Sequence, residues 1–129
     1  MRILIADGES RVRSALRLLL RQRSDVTEIY EAENMETMLH FSKAHRFDIV
    51  LLDWNLPATG GHAALKELRT QQPQVAIVVL SGRPEVRSTA LATGANAFVS
   101  KGDPPEQLLA TIELAFQEEK QECVAYRVW

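Results

Sequence analysis

The chain has 129 residues, 46% of them hydrophobic and 25% charged, with a net charge of −2. These values fit one globular domain large enough to bury a core, and no basic stripe offers a nucleic-acid surface. A single cysteine, Cys123, excludes an internal disulfide framework and reads as an inert thiol in a reducing compartment.

The N-terminus runs Met1-Arg2 straight into Ile3-Leu4-Ile5-Ala6-Asp7, too short for a signal segment. No apolar run approaches the ~18 residues of a membrane span, so a cytoplasmic location is expected. Ile3 to Asp7 reads as a strand ending on an acid. After Gly8-Glu9-Ser10, the residues Val12, Ala15, Leu16, Leu19 and Leu20 recur at helical spacing and form one apolar stripe. Val26 to Ala32 alternates as a second, edge strand. Asn34 is placed to cap a helix carrying Met35, Met38, Leu39 and Phe41 inward.

Phe47 to Asp53 is the third strand. Its Ile49-Val50-Leu51-Leu52 run, bounded by turn residues, predicts burial on both faces. A Pro57 to Gly61 turn leads to a helix through Ala64, Leu65 and Leu68, ended by Pro73. Val75 to Leu80 is the most apolar run and ends on Ser81-Gly82. A helix from Pro84 to Thr93 follows, then a short strand, Ala97 to Ser100, that ends on Lys101.

Asp103-Pro104-Pro105-Glu106 reads as an N-cap, first-turn prolines and a capping-box acid, opening a helix with Leu108, Leu109, Ile112, Ala115 and Phe116 inward. The periodicity then fades. Residues 1–119 make one domain and 120–129 a tail, in which Val124, Tyr126 and Val128 alternate as a strand would. Five alternations of strand and helix imply an α/β fold: a flavodoxin-like, doubly wound, five-stranded parallel sheet in the order 2-1-3-4-5, with helices on both faces.

Ligands of such sheets bind at the C-terminal strand edge. Collected there are Asp7 with Glu9, Asp53, Ser81 and Lys101. Singly, each is an ordinary turn or surface residue. Together they suit phosphoryl transfer: carboxylates hold Mg²⁺, an ammonium neutralises phosphoryl oxygens, and a hydroxyl fixes another.

The stretches Ile3–Asp7, Asp53-Trp54-Asn55-Leu56-Pro57 with Gly61, Leu80-Ser81-Gly82, Ala92–Phe98 and Val99-Ser100-Lys101 resemble the receiver domains of two-component response regulators. The resemblance spans residues 2 to about 117 and implies a phosphoprotein in phosphorelay signalling that catalyses only its own phosphorylation and dephosphorylation. It implies Asp53 as phosphoacceptor, Asp7 in the Mg²⁺ pocket, the Asn55 backbone carbonyl as a metal ligand, Ser81 and Lys101 on the phosphoryl group, and Phe98 as an aromatic switch beside Ser81. The implied phosphodonor is a histidine kinase or phosphotransfer protein. The same resemblance leaves room for a homodimer and for a DNA-binding output domain beyond this stretch, with no nucleic-acid or membrane contact by this domain itself.

The chain departs from the family pattern after the first strand, where receivers carry two adjacent acids and this chain has Asp7-Gly8. Glu9, one residue on, is a candidate substitute ligand; its other reading is an acid favoured at a helix start. Weak Mg²⁺ binding is expected. Trp54 follows Asp53 in place of an aliphatic residue, Gly60 stands where an acid is common, and Arg83 is placed to lie over the site. His40, His45 and His62 read as surface residues. Two other functions share parts of the pattern. A pseudo-receiver binding module would account for Gly8. A haloacid-dehalogenase-type phosphatase would want an acid where Asn55 stands, and a cap domain for which there is no room.

Overall fold

A computed structural model describes residues 1–57 and 60–128, with side chains described as far as residue 117. The strands are β1 (Arg2–Ala6), β2 (Glu28–Ala32), β3 (Ile49–Asp53), β4 (Ala76–Ser81) and β5 (Ala97–Ser100). They alternate with α1 (Ser10–Leu20), α2 (Met35–Ala44), α3 (Gly60–Gln71), α4 (Arg87–Thr93) and α5 (Pro105–Val128). All pairings are parallel, in the order β2-β1-β3-β4-β5, as the alternation of apolar runs and helices predicts.

The period of two along each strand divides the interior into two cores. Leu4, Ala6, Val50, Leu52, Ile77 and Val79 face Met38 of α2, Leu65 and Leu68 of α3 and Ala90 of α4. Ile3, Ile5, Ile49, Leu51, Val78 and Leu80 face Leu16 and Leu20 of α1 and Leu108 and Ile112 of α5. Every residue of β3 and β4 is buried. Each fully buried Leu or Ile contributes ~1.5–3 kcal/mol, so the two cores, more than helix propensity, hold the layers together.

Several boundaries differ from the sequence reading for local reasons. β2 opens at Glu28 because the Val26 amide donates to Arg23 O in the turn that closes α1. The stretch before α4 is a 3₁₀ turn, Pro84–Val86, in which the Val86 amide donates to Arg83 O. Asn34 caps α2 as predicted, its Oδ1 accepting from the Thr37 amide at 2.9 Å. Asp103 does not cap α5. Its carboxylate accepts from the Ser100 amide at 3.2 Å, which closes the turn behind the helix.

The helical backbone continues to Val128, so residues 124–128 are helical and not a strand. The side chains of Cys123, Val124, Tyr126 and Val128 lie outside the described residues, as do Ala58 and Thr59 of the predicted turn. His45 is not a surface residue: it is half-buried, its ring 4.8 Å from that of Tyr30 and 6.3 Å from that of Phe47.

The N-terminal edge of the sheet is closed by side-chain hydrogen bonds to the backbone. Gln72, just past α3, donates through Nε2 to Ser42 O and His45 O, each at 2.8 Å. Its Oε1 accepts from the Phe47 amide at 3.0 Å. The Asp48 carboxylate accepts from the Arg2 amide at 2.7 Å.

Candidate functional site

At the opposite edge the strands deliver Asp7, Asp53, Ser81 and Lys101 to one place. Asp7, Asp53 and Ser81 are 1%, 4% and 0% exposed, an unusual burial for polar residues. A shared local device fixes the first three. Asp7 Oδ1 accepts from the Glu9 amide at 2.8 Å, Asp53 Oδ1 from the Asn55 amide at 3.0 Å, and Ser81 Oγ from the Arg83 amide at 3.0 Å. Each side chain thus turns back onto the backbone two residues on, the geometry by which Asp and Ser shape turns. Lys101 is aligned by its backbone, its amide donating to Ser81 O at 2.9 Å.

The Lys101 ammonium lies 3.0 Å from Asp7 Oδ2 and 3.3 Å from Asp53 Oδ1. It is closer to Asp7 than to Asp53. Asp7 Oδ2 is buried and receives no hydrogen bond of proper alignment, so the nearby ammonium acts on it as a charge. Burial pushes the Asp53 carboxyl above its ordinary range. The Asn55 amide opposes this, the negative charge of Asp7 adds to it, and Lys101 offsets part of it. For Lys101, burial favours the neutral amine, but attraction to the Asp7 and Asp53 carboxylates outweighs it and holds the ammonium above its usual range. The result is an electron-rich carboxylate of restricted access beside a retained cation.

Glu9 does not join the pair. Its side chain is exposed, makes no capping bond to α1, and among the described residues no three His, Cys, Asp or Glu side chains are grouped to hold a metal. Two carboxylates, one with an unsatisfied buried oxygen, remain a donor set that a hard cation accepts when water completes its shell. The donor set therefore fits a Mg²⁺ that keeps several of its waters.

Phe98 is half-buried and pairs with Val79 in β4, two pairs before Ser81 meets Ser100. By the alternation of strands it lies on the face of the sheet that Ser81 shares. Trp54 packs against the core on that face, its amide bonded to Leu80 O at 2.9 Å. The first turn of α3 comes unusually close to it: a Cβ at Gly61 would sit 2.6 Å from Trp54 Cα. Glycine is needed at that approach. Arg83 is exposed at the rim.

Three neighbours of the site escape a reading of strand ends. Arg13 donates from Nη1 to Asp7 O at 2.8 Å and from Nε to Glu31 at 3.1 Å, and Arg17 meets the same Glu31 at 2.8 Å. The pair Arg13 and Arg17, one helical turn apart and followed by an acid in β2, is the available signal. His62 stands edge-on to Trp54 with ring centres 6.2 Å apart, so this exposed histidine adjoins the site. Pro57 lies directly over Gly8, which no pattern announces.

The model of the response regulator receiver domain family matches residues 3–113. The Fimbriae Z protein of Salmonella typhimurium is 31% identical over 101 residues, covering 77% of this chain and 48% of that protein. The cell cycle response regulator CtrA of Brucella ovis is 29% identical over 122 residues, covering 93% of this chain and 52% of that protein. The chain thus spans about half the length of these curated relatives. In fold it is similar to a CheY-like response regulator receiver domain protein from Methanospirillum hungatei, with a TM-score of 0.85, 24% identity, and coverage of 94% of this chain and 97% of that one. No helix among the described residues is long and apolar enough to cross a membrane.

Proposed function

Because the chain belongs to the family of response regulator receiver domains of two-component systems, we propose that its signalling step is the transfer of a phosphoryl group onto Asp53 from a histidine kinase or phosphotransfer protein. The observation that carries this reading is the Lys101 ammonium held within 3.3 Å of both buried carboxylates, with the Ser81 hydroxyl at the adjoining strand end.

An Asp53 oxygen attacks phosphorus while the donor's imidazole leaves, and the acyl phosphate formed is later opened by water. Lys101 leaves Asp7 to pair with the new phosphoryl oxygens, and Ser81 donates its hydroxyl proton to one of them. Charge-assisted bonds of ~1.5–3 kcal/mol each then exist in the modified state alone, and a difference of that size can shift a two-state equilibrium. Ser81 drawn toward the phosphoryl group makes room for Phe98 on the same face, altering the surface formed by α4, β5 and α5. Arg83, at the rim beside Ser81, governs the approach of the hydrolytic water.

Mg²⁺, when bound, supplies positive charge to the phosphoryl oxygens; Asp7, Asp53 and the Asn55 backbone carbonyl would hold it. The proposal leaves room for a DNA-binding output domain outside this stretch, which spans about half the length of the curated relatives. Residues 1–119 are read as the receiver domain and 120–129 as a C-terminal tail.

Incubation with a small phosphodonor, followed by intact mass and acid-stable mapping after borohydride reduction, tests the reading. Wild type gains one phosphoryl group at Asp53 and Asp53→Asn gains none. A wild type that stays unlabelled under donors and kinase alike leaves the pseudo-receiver, to which Gly8 points, as the better reading.

A further inference from the structure

Arg13 and Arg17 of α1 close on one acid of β2 in the same manner, yet their remaining bonds lead to different places. Arg13 Nε lies 3.1 Å from Glu31 Oε1 and Arg17 Nε 2.8 Å from Glu31 Oε2. Each guanidinium then donates to a backbone carbonyl. For Arg17 this is Ile29 O, within β2, at 3.1 Å; for Arg13 it is Asp7 O, at 2.8 Å. The two side chains match in kind of donor and in shared partner, and differ in whether the last bond reaches the strand-end site.

Asp7 lies past the last pair of β1 with β2, Ala6 with Ala32, and is 1% exposed. A buried carbonyl there needs a donor, and the Arg13 guanidinium supplies it. The same residue holds the other end of the loop, its amide donating to Glu9 O at 3.1 Å. Glu9, at the N-cap of α1, makes no side-chain capping bond, so the grip on residues 7–9 comes from within the helix. Between those two anchors the Glu9 amide donates to Asp7 Oδ1 at 2.8 Å, which sets the direction of the carboxylate. Glu31, with a guanidinium on each oxygen, holds Arg13 in the orientation that reaches Asp7 through charge-assisted bonds.

We propose that Arg13 is a positioning residue for phosphoryl transfer onto Asp53: it fixes the loop that aims the Asp7 carboxylate, and Glu31 orients it for that task. The inference rests on the reading of Asp53 as phosphoacceptor. A displacement of about 1 Å near a reacting group costs up to ~10²-fold in rate, so a loosened loop is felt in the chemistry out of proportion to its effect on stability. Arg17 is the internal control, because its loss takes the same kind of bonds from the same carboxylate and leaves the loop held.

The test compares Arg13→Gln, Arg13→Lys, Arg17→Gln and Glu31→Gln in the full chain. It reads the initial rate of labelling by phosphoramidate, the Tm, and the hydrogen exchange of the Glu9 amide against that of Asn55. Arg13→Gln and Arg17→Gln lower Tm by similar amounts, but only Arg13→Gln slows labelling, about tenfold, and speeds exchange at Glu9. Arg13→Lys keeps the charge and reaches one of the two partners; it recovers part of both losses and gives a reading if Arg13→Gln does not fold. Glu31→Gln slows labelling less than Arg13→Gln and adds nothing to it in the double variant, since it acts through Arg13. Equal labelling rates in Arg13→Gln and Arg17→Gln, or unmoved exchange at Glu9 in Arg13→Gln, overturn the positioning role. A wild type that takes no label while exchange at Glu9 follows the expected order removes the phosphoacceptor reading and keeps Arg13 as the anchor of this loop.

Discussion

Both edges of the sheet hold polar side chains against the backbone, but they leave them in different states. At the N-terminal edge, the Gln72 amide group makes three hydrogen bonds to backbone groups, at 2.8, 2.8 and 3.0 Å. The Asp48 carboxylate accepts a fourth backbone group at 2.7 Å. At the C-terminal edge, the Lys101 ammonium lies within 3.3 Å of both Asp7 and Asp53, and Asp7 Oδ2 lacks an aligned donor. Saturated hydrogen bonds between partners that are mostly neutral lock a loop, because leaving any of them unmade costs the desolvation of that group. Charges that attract one another without filling their hydrogen-bonding capacity can exchange one partner for another. One edge is built to stay as it is; the other is built to receive something.

The largest effect that could break this contrast is chemical. Asp53→Asn keeps the shape of the receptive edge and removes its nucleophile, so phosphoryl incorporation should fall from one group per chain to none while the circular dichroism spectrum is unchanged. The matching change at the locked edge is Gln72→Ala. It strands the Phe47 amide and two carbonyls, and should cost about 2 kcal/mol, seen as a Tm lower by several degrees, with labelling of Asp53 intact. If Gln72→Ala instead abolished labelling, the two edges would be coupled and the division drawn here would be wrong. Ser81→Ala is smaller. It removes the acceptor of the Arg83 amide, about 1 kcal/mol, and should leave labelling slow but present while abolishing the phosphorylation-dependent change in the near-ultraviolet signal of Phe98 and Trp54.

Much of the receptive edge was legible before any coordinates. An apolar run that ends abruptly on a polar residue marks a strand leaving the core, and four such endings give Asp7, Asp53, Ser81 and Lys101 directly. The alternation of strands and helices also predicts the strand order. What could not be read depends on distances between loops. The absence of an acid at Gly8 is visible in the sequence; the contact of Gly8 with the Pro57 ring is not, since the two are brought together only by the pairing of β1 with β3. The exposure of Glu9 is hidden in the same way: its distance from the two carboxylates is set by how the loop after β1 runs. The locked edge was almost wholly hidden, because Gln72 is a common residue at a helix end and nothing in its neighbours foretells that its amide reaches the last turn of α2 and the residue after it.

The smallest effect is a difference in pH dependence between the edges. Burial, with help from the charge of Asp7, raises the Asp53 carboxyl above its ordinary value of 3.8, against the pull of the Asn55 amide and Lys101. Between that ordinary value and the raised native one, the folded state binds this proton more tightly than the unfolded chain does. The stability contributed by Asp53 is therefore full below 3.8 and is lost as pH rises through the native value. Asp53→Asn is nearly the same size and carries no charge at any pH, so its stability relative to wild type should climb over that window and level off above it. Melts of both proteins in a series of buffers measure the climb. Gln72→Ala, which removes no titrating group, should show a cost that stays flat across the same series. A flat difference for Asp53→Asn would mean that Lys101 cancels the burial of Asp53 in the folded state, leaving the receptive edge as neutral in its pH response as the locked one.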